Sequence, residues 1–436
     1  MKRVLIISYH FPPDSEVGGL RAQKYAKYLP LYGWTPVVLS VIPKYYPVLD
    51  LERSKDIKCS VNRTHVLPGI RNTYLALKQL LTFRKQDKIN PDRNQECIRH
   101  LRDRKLRGLK RYALYFTWFP DDKTNWIIPA LIKAVYLVWR HEIDTIMTTS
   151  PPHSVQITGL ILKKTIRKRW VIDFRDPWAM EQKEMPKIFA RANKWLERIS
   201  VRNADIVVTA TESVRQYLIK TNPAAIPEKV VCIPNGYDLE DFQKRLDKRT
   251  DHIIMSYIGE FYFGRSPRVF LKAVSELLEM GLIDRKKIRL RFIGKVSHID
   301  GYYYLDDLAK ELHLSDIVEI RDYVPYREAV HNILSSDLLI VISPQNFMEP
   351  MKVFEYMASG AYVLAFTPPG ALADIVNQYA KGFVVGLNDL EKTKECILTC
   401  CRALSNRMET EKRAEPDDYV LSFERKALTK RLTQYL

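Results

Sequence analysis

Apolar positions along this chain fall into short continuous runs separated by stretches with helical spacing, and the alternation runs through two cycles. Val4-Leu5-Ile6-Ile7-Ser8 is uninterrupted, as expected of a central parallel strand covered on both faces. A Pro- and Gly-containing loop over residues 9–19 follows, then helical spacing over 20–32 that stops at Gly33, a residue suited to ending a helix. Residues 36–41 predict the next strand. Residues 44–111 are poorly patterned and read as an elaborated insertion. Strands are then predicted over 143–149, 170–174, 204–210 and 230–233, with a helix over 154–167. A second cycle begins near His252, with strands over 253–259, 288–294, 318–320, 338–342 and 362–365 and helices over 267–279 and 352–359. Two such series predict two doubly wound α/β domains. Their expected bounds are 1–240, carrying the insertion, and 250–415, with a closing helix within 416–436 that returns to the first domain. Ligands of such sheets bind at the carboxyl ends of the strands, so facing domains would share an interdomain cleft.

Length agrees with that division: 436 residues suit two domains of about 200 each. The charge does more. A net +18 favours anionic partners such as nucleic acid, anionic lipid surfaces or nucleoside diphosphates, without choosing among them. The excess is local, with 17 Lys and Arg against 6 Asp and Glu between Leu51 and Arg111, densest over residues 99–111. That stretch reads either as a solvated helical face or as a docking surface for anionic lipid or a lipid-phosphate acceptor. Six cysteines are scattered, with Cys396, Cys400 and Cys401 the one cluster and no second pair at zinc spacing. Reduced thiols and a reducing compartment are expected. The start, Met1-Lys2-Arg3 running straight into a short apolar strand, is too brief for a signal peptide. No run of about 18 apolar residues occurs, so any membrane contact is expected to be peripheral and the location cytoplasmic.

Three constellations could carry chemistry. Asp14-Ser15-Glu16-Val17-Gly18-Gly19 lies between a strand and a helix start, where glycines let backbone amides approach a phosphate; a tight strand-to-helix turn explains the same residues. It lacks the G-x-G-x-x-G spacing of a dinucleotide fingerprint. Lys352 and Glu355, three apart, project from one face of a helix start. They could meet a diphosphate and a ribose, or form a surface ion pair. Asp173, Arg175 and Asp176 cluster at a strand end, where buried charges are costly unless paired or used. They fit the acceptor side of an active site, or a structural Asp–Arg–Asp network.

Six motifs in order resemble glycosyltransferase family 4. They are Phe11-Pro12-Pro13 with Gly18-Gly19, Trp118-Phe119-Pro120-Asp121, and Thr149-Ser150-Pro151-Pro152-His153-Ser154. Asp173-Phe174-Arg175-Asp176-Pro177-Trp178, Ile233-Pro234-Asn235-Gly236-Tyr237-Asp238 and the run from Pro350 to Gly360 complete the set. Pro350-x-Lys352-x-x-Glu355 resembles the donor motif of a subset of that family. The resemblance implies the GT-B fold, two Rossmann-like domains facing a cleft, and retaining, metal-independent transfer of a hexosyl-type sugar from a UDP- or GDP-sugar to a glycan or lipid-linked acceptor in bacterial envelope polysaccharide synthesis. By the same resemblance Glu355 would hold the donor ribose, and Gly18, Gly19, Pro350, Asn235 and Gly236 would line the donor site. Lys352 and Arg265 would neutralise the departing diphosphate, the main electrostatic demand of the reaction. His153 would stand near the reaction centre, or simply cap the helix starting at Ser154. No cofactor beyond the donor is implied, and no Asp-x-Asp pair able to hold a metal occurs. Two positions depart from the family pattern: Phe347 stands where many members carry a sugar-contacting glutamate, and Glu260 where many carry a phosphate-binding arginine. A nucleotide-sugar epimerase of the same fold is the alternative enzyme. A basic nucleic-acid binder is the non-enzymatic one, although nothing resembles a recognition helix, an aromatic RNA-binding strand or a zinc module.

Overall fold

A computed structural model describes residues 1–68, 112, 115–180, 185–222, 226–242, 251–261, 264–296, 298–299, 303–405 and 416–436. The densest basic run, 99–111, and most of the expected insertion lie outside the described residues. The chain divides into two units, Met1–Ile233 with Thr429–Leu436, and Pro234–Leu428.

The first unit is a parallel seven-stranded sheet of β1 (Lys2–Ile7), β2 (Trp34–Val41), β3 (Ser60–Thr64), β4 (Thr145–Ser150), β5 (Arg169–Phe174), β6 (Ile206–Thr209) and β7 (Val230–Cys232), in spatial order β3-β2-β1-β4-β5-β6-β7. Val4, Leu5, Ile6 and Ile7 of β1 are fully buried, as their unbroken apolar run requires. β3 falls within the stretch read as unpatterned. Ser60-Val61-Asn62-Arg63-Thr64 has one aliphatic side chain, which an edge strand tolerates because only one neighbour and partial cover are needed. Helices Ile127–Arg140, Ser154–Ile166 and Lys187–Asn203 pack side by side over the sheet. Gly159 lets the middle one seat closely, since a Cβ there would overlap the indole of Trp170. That buried indole donates to Thr148 Oγ1 at 2.8 Å, so its polar edge is satisfied.

The second unit repeats the plan with β8 (Ile253–Ile258), β9 (Ile288–Ile293), β12 (Val318–Arg321), β13 (Leu338–Ile342), β14 (Tyr362–Phe366) and β15 (Gly382–Val385), ordered β12-β9-β8-β13-β14-β15, beside a two-stranded antiparallel piece of β10 (His298–Ile299) and β11 (Tyr303–Tyr304). Separate apolar clusters cover the two faces of the sheet. In place of one closing helix the chain forms Asp418–Leu421, capped by Asp417, and Arg425–Thr433. No helix among the described residues is long and apolar enough to cross a membrane.

In both sheets the chain order reverses about the first strand. The switch lies between β1 and β4 in the first unit and between β8 and β13 in the second. In sheets of this kind ligands bind outside the carboxyl ends of the strands at such a switch point.

Candidate functional site

In the second unit the residue after β8 is Gly259, at φ +138°, in a region that L side chains rarely adopt. A Cβ there would overlap the ammonium of Lys352, and a Cβ on Gly294 after β9 would overlap the carbonyl of Gly259. Glycine thus brings the ends of β8 and β9 against the helix Lys352–Ala358 that follows β13. Tyr356 fixes the helix to the sheet, its hydroxyl accepting from Ile258 N at 3.2 Å.

The Lys352 Nζ lies 4.2 Å from the ring centroid of Tyr257 and has no hydrogen-bonding partner among the described residues. Burial, and secondarily the positive charge of Arg265, push its pKa down to about 7, with Glu355 opposing. Arg265, 5% exposed, and Glu355, 8% exposed, are both buried. Glu355 accepts a hydrogen bond from Tyr326 Oη at 2.9 Å, and the same hydroxyl lies 3.4 Å from Asp241 Oδ2. Two cations and a tethered carboxylate therefore sit at the switch point, and the surface ion pair expected as one reading of Lys352 and Glu355 is absent. Pro350 opens the helix, its carbonyl accepting from Val353 N at 3.0 Å. Phe347 is buried apolar filling, whereas Glu260 is exposed.

Asn235 is buried, but Gly236 is set against Phe423 and Leu428, which a Cβ would strike. That glycine serves close backbone packing, reinforced by Tyr237 N donating to Phe423 O at 3.2 Å and Arg425 N to Tyr237 O at 2.8 Å.

In the first unit the charge cluster divides between its two readings. Asp173 is fully buried and bound to Arg21 by Nη2–Oδ1 at 2.9 Å, and it also accepts from Thr149 Oγ1 at 2.9 Å. It is a structural anchor, with Arg21 rather than Arg175 as its partner. The Arg175 guanidinium donates to the carbonyls of Ser150, Gly18 and Pro151. Gly18 is where it is because a Cβ would overlap that guanidinium; Gly19 likewise allows close approach to the backbone of His10. Burial lowers the Arg175 pKa and raises that of the neighbouring Asp176, with Arg175 opposing the latter.

His153 stacks on Trp178, ring centroids 5.3 Å apart and planes 5° from parallel. Burial, then the charge of Arg175, push its pKa down to about 3, so it is a neutral imidazole, and its Nδ1 has no hydrogen-bonding partner among the described residues. The helix beginning at Ser154 is capped by Asp121, whose Oδ2 accepts from Ser154 N at 2.6 Å, and not by His153.

Sequence reading missed a pair beside these residues. His10 Nδ1 lies 2.6 Å from Oδ2 of the fully buried Asp14, at the end of β1. Arg53 ties the same loop down through the carbonyls of Asp14 and Glu16. The signal available was a histidine four residues before an aspartate in the first strand-to-helix loop. Tyr326 and Tyr356 gave no comparable signal, because both act across long sequence separations. Among the described residues no cluster of three or more His, Cys, Asp or Glu could hold a metal ion.

Two family models match the chain: Glycosyl transferases group 1 over residues 238–415, and Glycosyltransferase Family 4 over residues 96–241. The D-inositol 3-phosphate glycosyltransferase of Thermobifida fusca (strain YX) is 27% identical over 197 residues, 43% of this chain and 44% of that protein. The UDP-Gal:alpha-D-GlcNAc-diphosphoundecaprenol alpha-1,3-galactosyltransferase of Escherichia coli is 24% identical over 211 residues, 45% of this chain and 51% of that protein. The chain therefore spans about half the length of the curated relatives it matches. A glycosyltransferase structure from Rickettsia africae ESF-5 superposes with a TM-score of 0.64 at 17% identity, covering 100% of this chain and 97% of that one. The fold is GT-B, built of two Rossmann-like domains.

Proposed function

We propose that this chain, matched across residues 96–415 by glycosyltransferase models and built on the GT-B fold, is a retaining glycosyltransferase. It moves a hexosyl-type sugar from a UDP- or GDP-sugar to a glycan or lipid-linked acceptor of the bacterial envelope, at the cytoplasmic face of the membrane and without a further cofactor. The observation that carries this reading is Lys352. An ammonium held at the switch point without a hydrogen-bonding partner, with Arg265 nearby, is costly unless an anion joins it. A diphosphate supplies the missing negative charge.

As the glycosidic bond breaks, charge builds on the leaving diphosphate. Fixed cations in a site that excludes water lower that barrier without having to reorganise. Glu355, its carboxylate held by Tyr326, is suited to accept hydrogen bonds from the ribose and so fix the nucleotide. The second unit thus holds the donor, and acceptor recognition falls to the first, where His153, Arg175 and Asp176 stand at strand ends. His153, kept neutral, can share a hydrogen bond with a sugar hydroxyl but carries no charge to the reaction. Retention follows from a same-face substitution assisted by the leaving phosphate. The galactosyltransferase relative is named for a UDP-linked donor and a diphosphoundecaprenol-linked acceptor, which supports screening that chemistry first.

The test is release of UDP or GDP from a panel of sugar nucleotides in the presence of membrane extract. Transfer by the wild type that falls at least a hundredfold in Lys352→Ala and Glu355→Ala is expected. Undiminished activity in both variants would remove the site assignment.

A further inference from the structure

The layer of helices Ile127–Arg140, Ser154–Ile166 and Lys187–Asn203 has an outer surface that the transfer chemistry does not use. Ile127–Arg140 is apolar nearly all round, with Lys133 and Arg140 as its charged residues. Ala130, Ala134, Leu137 and Val138 turn inward and are buried. On the opposite side Ile128, Ile132, Tyr136 and Trp139 form one stripe and are 57%, 67%, 53% and 72% exposed. A helix apolar on both faces suits a buried core or a lipid boundary, not water.

Helix Lys187–Asn203 adds Ile188 and Trp195, both exposed, among five bases. Its exposed side chains are those two and Lys187, Arg191, Lys194, Arg198 and Arg202, while its single acid, Glu197, is fully buried. The middle helix contains no acid. Among the described residues, three adjacent helices thus present aliphatic and aromatic groups and positive charge, with no exposed carboxylate. Glu142, just past the first helix, is bound to Arg3 at 3.0 Å.

We infer that this face docks the protein on an anionic lipid bilayer, the Ile128–Trp139 stripe entering the headgroup boundary and the bases of Lys187–Asn203 meeting lipid phosphates. Charge complementarity selects this occupant. A second copy of the same face would oppose positive charge with positive charge, and a nucleic-acid backbone would leave the isoleucines without an apolar partner. Tyr and Trp at the rim of the stripe suit the amphipathic boundary layer, and apolar insertion combined with basic attraction is the composition of helices that lie in it. For its biological setting the inference rests on the lipid-linked acceptor proposed above. Vesicle binding does not require sugar transfer, however, so either can fail alone.

The test is co-sedimentation of the full chain with vesicles of phosphatidylcholine and 30% phosphatidylglycerol, against pure phosphatidylcholine, at 50 and 150 mM salt. Partitioning at least tenfold stronger on the anionic vesicles is expected. Ile132→Ser with Trp139→Ser should weaken it at least tenfold at both salt concentrations, and so should Arg191→Ser with Lys194→Ser and Arg198→Ser, with thermal melting and UDP-induced stabilisation unchanged. These two variants separate the helix face from the basic run at 99–111, which would act by charge alone. Absence of vesicle binding by the wild type, or Ile132/Trp139 variants that bind as well as it does, overturns the inference. So does a wild-type dimer in solution that those substitutions dissociate.

Discussion

Donor affinity should depend on pH through Lys352. Unliganded, the buried ammonium loses its proton near pH 7, because burial and Arg265 outweigh Glu355. Beside a diphosphate it keeps that proton into the ordinary lysine range, since an opposite charge in contact favours the charged form. Binding is then coupled to proton uptake whenever the free protein is deprotonated. At pH 8 about nine in ten free molecules carry a neutral lysine, so about 0.9 proton should enter per donor bound, against about 0.1 at pH 6. The sign follows: affinity is full below about pH 7 and is lost as pH rises, by about tenfold between pH 6 and 8, or about 1.4 kcal/mol. The ligand should be the sugar nucleotide identified in the donor panel, because its bridging diphosphate does not titrate near neutrality, as the terminal phosphate of UDP does. Calorimetry at each pH in two non-phosphate buffers that differ widely in ionisation enthalpy counts the protons directly. Lys352→Met should abolish the uptake and flatten the pH profile. The same variant should raise Tm, more at pH 6 than at pH 9, because a lysine whose folded pKa lies below its unfolded one costs stability most where it must be charged. Uptake that persists in Lys352→Met, or pH-independent affinity in the wild type, would refute the assignment of positive charge to this side chain.

Three further outcomes are expected. Glu355→Gln keeps the volume but removes the charge that strengthens bonds to ribose hydroxyls, and should lower kcat/KM by about a hundredfold; Tyr326→Phe, which only loosens that carboxylate, should lower it by about tenfold, both read by initial rates. Arg21→Met leaves Asp173 charged and buried without its partner and should cost about 3–5 kcal/mol by urea denaturation, an amount that Asp173→Asn with Arg21→Met should largely restore. Gly159→Ala drives a methyl into the Trp170 indole and should cost about 1–3 kcal/mol, with a shift in the near-UV tryptophan signal.

The central strands are legible in the sequence because burial on both faces demands unbroken apolar runs, as in Val4–Ile7 and Leu338–Ile342. Edge strands β3 and β15 are not, since partial cover relaxes that demand. The candidate site divides along similar lines. Lys352 and Glu355 are visible as a pair because three residues separate them on a helix. Their depth is not visible, because it depends on Tyr257, Arg265 and Tyr326 arriving from other elements. Asp173 shows the limit most sharply. Its neighbours Arg175 and Asp176 suggest a local cluster, yet Asp173 is still inside β5, in register with Thr149 of β4, while the other two lie beyond the strand end at Phe174. Its partner, Arg21, lies 152 residues away on the helix Gly18–Tyr28. Proximity in sequence misassigned it, whereas the end of β5 at Phe174 separates it from the residues that follow. Charge clusters at strand ends are therefore better divided at the last residue of the strand before they are given a common role. Applied here, the rule leaves Arg175 and Asp176 at the edge and returns Asp173 to the interior, where only a buried cation could balance it.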